Sequence, residues 1–171
     1  MSKPVLYLML GYPGAGKTTT AKVIHQVTGA VHLWADHIRR ERFGHPTFSH
    51  KENLQLYDHL NELTAELLAA GNSVVFDTAF NLREDREKLR KIAAKHHAAA
   101  KLIWVQTPHD LARERAFKDV HLQETRVIGH LMTTADFERL SNKLEPPHTD
   151  EPYIAVDGTK VTPDYIKQIL Q

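Results

Sequence analysis

Apolar positions along this chain follow two spacings. Five short runs rich in aliphatic and β-branched residues, at 5–10, 30–34, 73–76, 101–105 and 153–156, read as strands. Between them the apolar residues recur every three or four positions. The clearest such stretch places Leu56, Leu60, Leu63 and Leu67 on one helical face before a Gly71-Asn72 stop. Another runs through Ala21, Val23, Ile24 and Val27. Helix starts are signalled by Asn81 with Glu84, by Thr107-Pro108 with Asp110, and by Thr162-Pro163-Asp164. Strands alternating with helices predict an α/β fold, a parallel five-stranded sheet with helices on both faces. Residues 116–147 break the alternation: they mix charges with histidines, carry no strand pattern and end in Glu145-Pro146-Pro147. This segment reads as a helical insert before the last strand.

Composition narrows the class. At 171 residues, with 42% hydrophobic and 25% charged side chains, residues 1–171 fit one domain with a real core. The absence of cysteine excludes a disulfide scaffold, a thiolate zinc site and a cysteine nucleophile. No apolar run approaches the roughly 20 residues of a membrane span, and the start lacks a signal-peptide pattern, so the expectation is a soluble cytoplasmic protein without membrane contact. A formal net charge of +1 is far from the basic signature of a dedicated nucleic-acid module. Extended nucleic-acid binding is therefore not expected, although a site touching only a nucleic-acid end needs few phosphate contacts. Twelve histidines are present, but none stand at zinc-site spacing.

The chemistry is concentrated after the first strand. Gly11-Tyr12-Pro13-Gly14-Ala15-Gly16-Lys17-Thr18 matches G-x-x-x-x-G-K-[ST] in full, between a predicted strand and a predicted helix. Glycines there let backbone N–H groups turn inward around phosphate oxygens at a helix N-terminus, whose partial positive charge favours anions. Gly11, Pro13, Gly14, Ala15, Gly16, Lys17, Thr18 and Thr19 are thus the expected ATP cradle. Within it Lys17 reaches the β and γ phosphates, Thr18 offers its hydroxyl to Mg²⁺ and Thr19 lies at the α phosphate. A second candidate is Asp36, which follows the second strand run in Trp34-Ala35-Asp36-His37-Ile38-Arg39, at the strand end where open α/β sheets place ligand groups. It is either a functional carboxylate or the cap of a short helix over residues 37–43.

Four blocks together resemble the small P-loop kinases, a group that takes in the bacteriophage polynucleotide 5′-kinase domain, zeta-type toxin kinases and chloramphenicol phosphotransferase. They are residues 11–19, Asp36-x-x-Arg39, Asp77-Thr78-x-x-Asn81, and the Arg113–Arg115 region. The resemblance implies a three-layer P-loop fold of nucleoside-kinase type, with the 116–147 insert as a small lid. It also implies that Asp36 is the general base that orients and deprotonates an acceptor hydroxyl. On the acceptor side stand Arg39, one helical turn on, with Asp77 and Asn81. Asp77 also ends its apolar run as a Walker B acid would, and Asn81 equally fits a helix cap with Glu84. Ala79 stands where the polynucleotide kinases carry an asparagine, which weighs against a polynucleotide substrate.

Arg115 matches the first lid arginine, near adenine and phosphates, and is the third catalytic candidate beside Asp36 and Lys17. Asp119 occupies the place of the second lid arginine, leaving Lys118 or Arg126 to substitute. Read without the resemblance, Arg113-Glu114-Arg115 is a solvated helix face and Arg39 part of a basic run with Arg40 and Arg42. Asp157-Gly158-Thr159 corresponds to a loop against the adenine, and by itself is a turn. The expected activity is an ATP- and Mg²⁺-dependent transfer of phosphate to a hydroxyl of a small molecule, a nucleoside derivative or a nucleic-acid 5′ end. The alternative is an ATP-binding regulatory module with no phosphoacceptor.

Overall fold

The computed structural model describes residues 3–118 and 132–171. Five strands, β1 (Val5–Leu10), β2 (Val31–Trp34), β3 (Val74–Asp77), β4 (Ala99–Gln106) and β5 (Tyr153–Asp157), lie within one or two residues of the predicted runs. They form one parallel sheet in the order β2-β3-β1-β4-β5. The chain leaves β1 toward β2 on one side and later crosses from β3 to β4 on the other. That reversal makes the carboxyl ends of β1 and β3 the topological switch point, where such sheets open a crevice.

Seven helices complete the described residues: α1 (Lys17–Thr28), α2 (Ala35–Phe43), α3 (His50–Ala69), α4 (Arg83–Lys95), α5 (His109–Lys118), α6 (Thr134–Ser141) and α7 (Pro163–Leu170). Side chains alternate across the central strand. Leu6, Leu8 and Leu10 enter a core with Leu56 and Leu60 of α3 and Leu89 of α4. Tyr7 and Met9 point the other way, onto Ala21 and Ile24 of α1 and Ile166 of α7. A strand buried on both faces must be apolar at every position, which is why 5–10 reads as a continuous run. Among the described residues no helix is long and apolar enough to cross a membrane.

Local signals account for most helix ends. Ser49 accepts from the Glu52 N–H and Thr162 from the Tyr165 N–H, each satisfying an orphan donor of the first turn. Gly71, at φ 84°, lets the chain leave α3 with the Asn72 N–H bonded to the Leu67 carbonyl. Two cap readings fail. Leu82, not Asn81, precedes α4, because the 78–82 segment is tied back to the sheet by Phe80 N–H donating to Met9 O at 2.9 Å. Trp34, not Asp36, precedes α2, because that helix begins directly at the strand end, two residues before the predicted start. The described part of the insert is helical in α6, where Phe137 packs on Ala112 and Ala116 of α5. Asp119 and Arg126 lie outside the described residues.

One buried ion pair ties α4 to the approach of β5. Arg86, with no exposed surface, donates Nε and Nη2 to the two oxygens of Glu151 at 2.7 and 2.8 Å. Its Nη1 reaches the carbonyls of Phe80 and Asn81 at 3.0 and 3.1 Å. Burial alone would raise the Glu151 carboxyl, but hydrogen bonds from Arg86 and Arg90 outweigh it and hold the group at about 2. A carboxylate lowered on folding stabilises the protein above its unfolded value and loses that contribution as the pH falls through the folded one. Arg86→Met leaves the carboxylate without its bidentate partner and is expected to cost about 3–5 kcal/mol in urea unfolding. Glu151→Gln is expected to remove the part of the acid destabilisation that sets in between pH 4.5 and about 2. An unchanged acid limb in that variant would refute the role.

Candidate active site

The loop between β1 and α1 wraps the crevice from below. Gly16 is the cap residue of α1, and Lys17 folds back so that its ammonium donates to the carbonyls of Gly11 at 3.0 Å and Tyr12 at 2.8 Å. The amine is thereby held over the mouth of the loop. The Ala15 N–H closes a turn on Tyr12 O at 3.1 Å, Thr19 is exposed, and Pro13 is half-buried at the bend. Two glycines are there because neighbours leave no room for a side chain. A Cβ on Gly14, at φ 75°, would lie 2.1 Å from Ala112 O in α5. One on Gly158 would lie 2.0 Å from Thr107 Oγ1 and 2.4 Å from Ala15 O. Thr107 itself donates to Ala15 O at 2.8 Å, so the loop is clamped from β4 and from the turn after β5.

At the switch point Thr18 Oγ1 donates to Asp77 Oδ1 at 3.3 Å. The other oxygen, Asp77 Oδ2, accepts from His32 Nε2 at 2.9 Å, and since a carboxylate oxygen only accepts, the ring hydrogen sits on Nε2. His32 stacks at 8° on Trp34, which stacks in turn on His37 and carries the Lys22 ammonium 5.0 Å from its ring centroid. A hydroxyl and a buried carboxylate on adjacent elements form an all-oxygen donor set, which fits a Mg²⁺ ion completed by phosphate oxygens and water.

Asp36 is half-buried in the first turn of α2. Its carboxyl is pushed above the ordinary aspartate range, first by burial and then by the Asp77 charge, against the pull of Arg39, Lys17 and Arg40. It therefore lies within the electrostatic reach of the loop lysine and the β3 acid. Arg39 is not a solvated member of a basic run. It is 5% exposed, with Nη1 on Glu52 Oε1 at 2.5 Å, Nη2 on Asn53 Oδ1 at 2.7 Å and Nε without a partner. Asn81 is also buried, its Oδ1 accepting from the Gly11 N–H at 3.4 Å, so it faces the loop rather than a helix end.

On the opposite side Arg115 donates Nη1 to Gly158 O at 2.9 Å, joining α5 to the turn at Asp157-Gly158-Thr159. Arg113 instead lies over the Phe117 ring at 5.7 Å, and Lys118 pairs with Glu114. Only Arg115 of the three reaches the clamp. Sequence reading missed His32, Glu52 and Thr107. His32 had no local signal, and the helix-start signal at Thr107 said nothing of its bond to Ala15 O, since each residue acts on a distant segment. Ser49-x-x-Glu52 is a capping-box spacing, but here Glu52 turns away to Thr47 and Arg39.

A glycine-rich loop closing on a neighbouring strand's acid, at the switch point of a 2-3-1-4-5 parallel sheet, defines a P-loop α/β protein of nucleoside-kinase type. The chain belongs to the AAA_33 family of AAA domains, whose model matches residues 6–126. Comparison with curated proteins finds no match. Among solved structures, the unliganded sugar kinase of Janibacter sp. HTCC2649 is similar, with TM-score 0.67 and 20% identity over 99% of this chain and 93% of that one. The Mycobacterium tuberculosis APS kinase CysC, bound to AMPPNP and APS, gives 0.70 at 16% identity, covering 99% and 97%. Chaetomium thermophilum Kti12, bound to ADP-AlF3, gives 0.74 at 16%, covering 96% and 94%. At these identities the likeness is one of fold.

The clamp can be tested without any ligand. Gly158→Ala forces a Cβ against Thr107 and the Ala15 carbonyl. It is expected to cost about 1–3 kcal/mol by overpacking, a melting temperature lower by roughly 3–10 °C for a domain of this size. No change in melting temperature would show that the turn does not bear on the loop.

Proposed function

We propose that this protein is an ATP- and Mg²⁺-dependent phosphotransferase that moves the γ-phosphate of ATP to an alcohol hydroxyl. The observation that carries the reading is the position of Asp36: a half-buried carboxylate leaving the edge strand, in the field of the loop lysine Lys17 and the acid Asp77. A loop that only bound nucleotide would need no such carboxylate within reach of its lysine's charge. The similarity of fold to a sugar kinase and to an APS kinase supports the same reading.

In this reading the loop from Gly11 to Thr19 cradles the phosphates, Thr18 and Asp77 would hold the metal, and Arg115 lies where α5 meets the Gly158 turn, toward the base and phosphates. When bound there, Mg²⁺ would supply charge neutralisation to the phosphate oxygens. Asp36 orients the acceptor O–H and takes its proton as that oxygen bonds to the γ-phosphorus, while the bond to the β–γ bridging oxygen breaks and ADP leaves. Lys17 stabilises the charge that develops on the transferring group. Arg39 and Asn81 border the acceptor side. Arg39 does so through its pairing with α3, and Asn81 by holding the Gly11 amide.

Two variants test the assignment. Lys17→Ala is expected to abolish the rise in melting temperature that MgATP produces in the wild type; an undiminished rise removes the loop assignment. Asp36→Asn is expected to keep that rise and lose transfer by about 10²–10⁴-fold, the range of a positioned base. Because burial and Asp77 raise the Asp36 carboxyl, the wild-type kcat/KM should fall on the acid side with a limb above the usual aspartate value of about 4. Full turnover by Asp36→Asn would reduce Asp36 to a structural residue, and nucleotide binding without any acceptor-stimulated ADP release would favour the regulatory module.

A further inference from the structure

The charge inventory of the acceptor side bears on what the acceptor is. One turn beyond Asp36 stands Arg39, the group best placed to meet an anionic acceptor. Its charge is already used. Glu52 pairs with Nη1 and Asn53 takes Nη2, while the Phe48 ring covers the guanidinium at 4.8 Å. Both members of the ion pair are close to fully buried, at 5% and 6% exposure.

Glu52 is itself held in place. Its second oxygen accepts from the Thr47 N–H at 2.6 Å and from Thr47 Oγ1 at 2.8 Å. Burial would raise this carboxyl, yet those bonds and the one from Arg39 keep it ionised, down to about 2. The segment that supplies them is conformationally tense, since Phe48 adopts φ 55°, which a bulky aromatic residue rarely does. To bind a phosphate, Arg39 would have to abandon a buried carboxylate and leave it uncompensated, which is strongly unfavourable.

We propose, resting on the phosphotransferase reading above, that the acceptor is an uncharged polyol and not a phosphorylated or sulfated one, because Glu52 cancels Arg39. The remaining groups agree. The charges acting on Asp36 are Asp77, Lys17 and Arg40 together with Arg39, which Glu52 pairs, and Lys17 is bound to the loop carbonyls, so among the described residues that act on Asp36 the cations do not outnumber the anions. A second anion beside Asp36 would also push its proton affinity higher still. Neutral hydrogen-bonding groups are at hand instead: Tyr57 Oη and Thr78 Oγ1 lie 3.0 Å apart, both half-buried, at the carboxyl end of β3. Such hydroxyls suit a polyol, which offers and accepts hydrogen bonds without charge.

The test uses the full chain with MgATP and matched acceptor pairs: glucose and glucose 1-phosphate, myo-inositol and its 1-monophosphate, adenosine and adenosine 3′-monophosphate. ADP release is followed at equal concentrations. At least one uncharged member is expected to stimulate release, with its monoester poorer by about tenfold or more in kcat/KM, as like-charge juxtaposition costs several kcal/mol. Glu52→Gln, which keeps the shape and removes the charge, is expected to narrow that gap by raising turnover of the ester. A wild-type enzyme that uses an ester as well as its parent overturns the inference and leaves the phosphotransferase reading standing. Failure of every pair to stimulate release overturns both. A gap that Glu52→Gln leaves unchanged overturns the assignment of selectivity to the Arg39–Glu52 pair, and because the wild-type comparison needs no variant, poor folding of Glu52→Gln does not blunt the test.

Discussion

The glycine-rich loop at the end of β1 keeps its shape because segments far apart in sequence press on it at distances that no side chain survives. Helix α5 meets Gly14, the turn after β5 meets Ala15 through Gly158, and Thr107, just beyond β4, bonds the Ala15 carbonyl. Glycine in the loop is usually discussed as a matter of backbone freedom. Here close approach is at least as demanding, and the small residues Ala112 and Ala116 on α5 belong to the same requirement. The clamp holds the loop amides in one arrangement, so an arriving anion meets dipoles that need little reorganisation.

From that loop outward the polar groups are layered by charge. Thr18 and Asp77 sit at the switch point, with His32 fixing one Asp77 oxygen and leaving the other turned to Thr18. Asp36 stands one strand further out, its proton affinity raised by burial and by the Asp77 charge. Beyond it lies the buried Arg39–Glu52 pair, which carries no net charge. A second buried pair, Arg86–Glu151, has a different task. It bonds the carbonyls of Phe80 and Asn81 and so sets the segment that puts Asn81 against Gly11. Both pairs are buried at a desolvation cost. Each fixes a backbone segment that apolar packing alone would leave free to shift.

Much of this was legible in the linear order of residues. Strand runs, the periodic helix at 56–67 and the G-x-x-x-x-G-K-T loop are local patterns, and local patterns report burial and turn geometry directly. The acid at each strand end, Asp36 and Asp77, followed from knowing where open sheets place ligands. The cap alternatives for Asn81 and Asp36 fail because cap signals compete with tertiary structure. Asn81 is claimed by the loop, and α2 starts without any intervening turn. The distant bonds of His32, Glu52, Thr107 and Glu151 left no usable trace, because their partners lie 45, 13, 92 and 65 residues away.

By itself, then, the order of residues determined which segments are strands and helices, where the glycine-rich loop falls, and which polar residue types stand near the strand ends. Tertiary structure alone decided how those types are spent. Arg39 became a partner of Glu52 rather than an open anion site, Arg115 a bridge to Gly158, and Asn81 a support for the loop. The physical reason is that hydrophobic periodicity is written along the chain, whereas charge pairing and steric clearance depend on which distant segments the sheet order brings together.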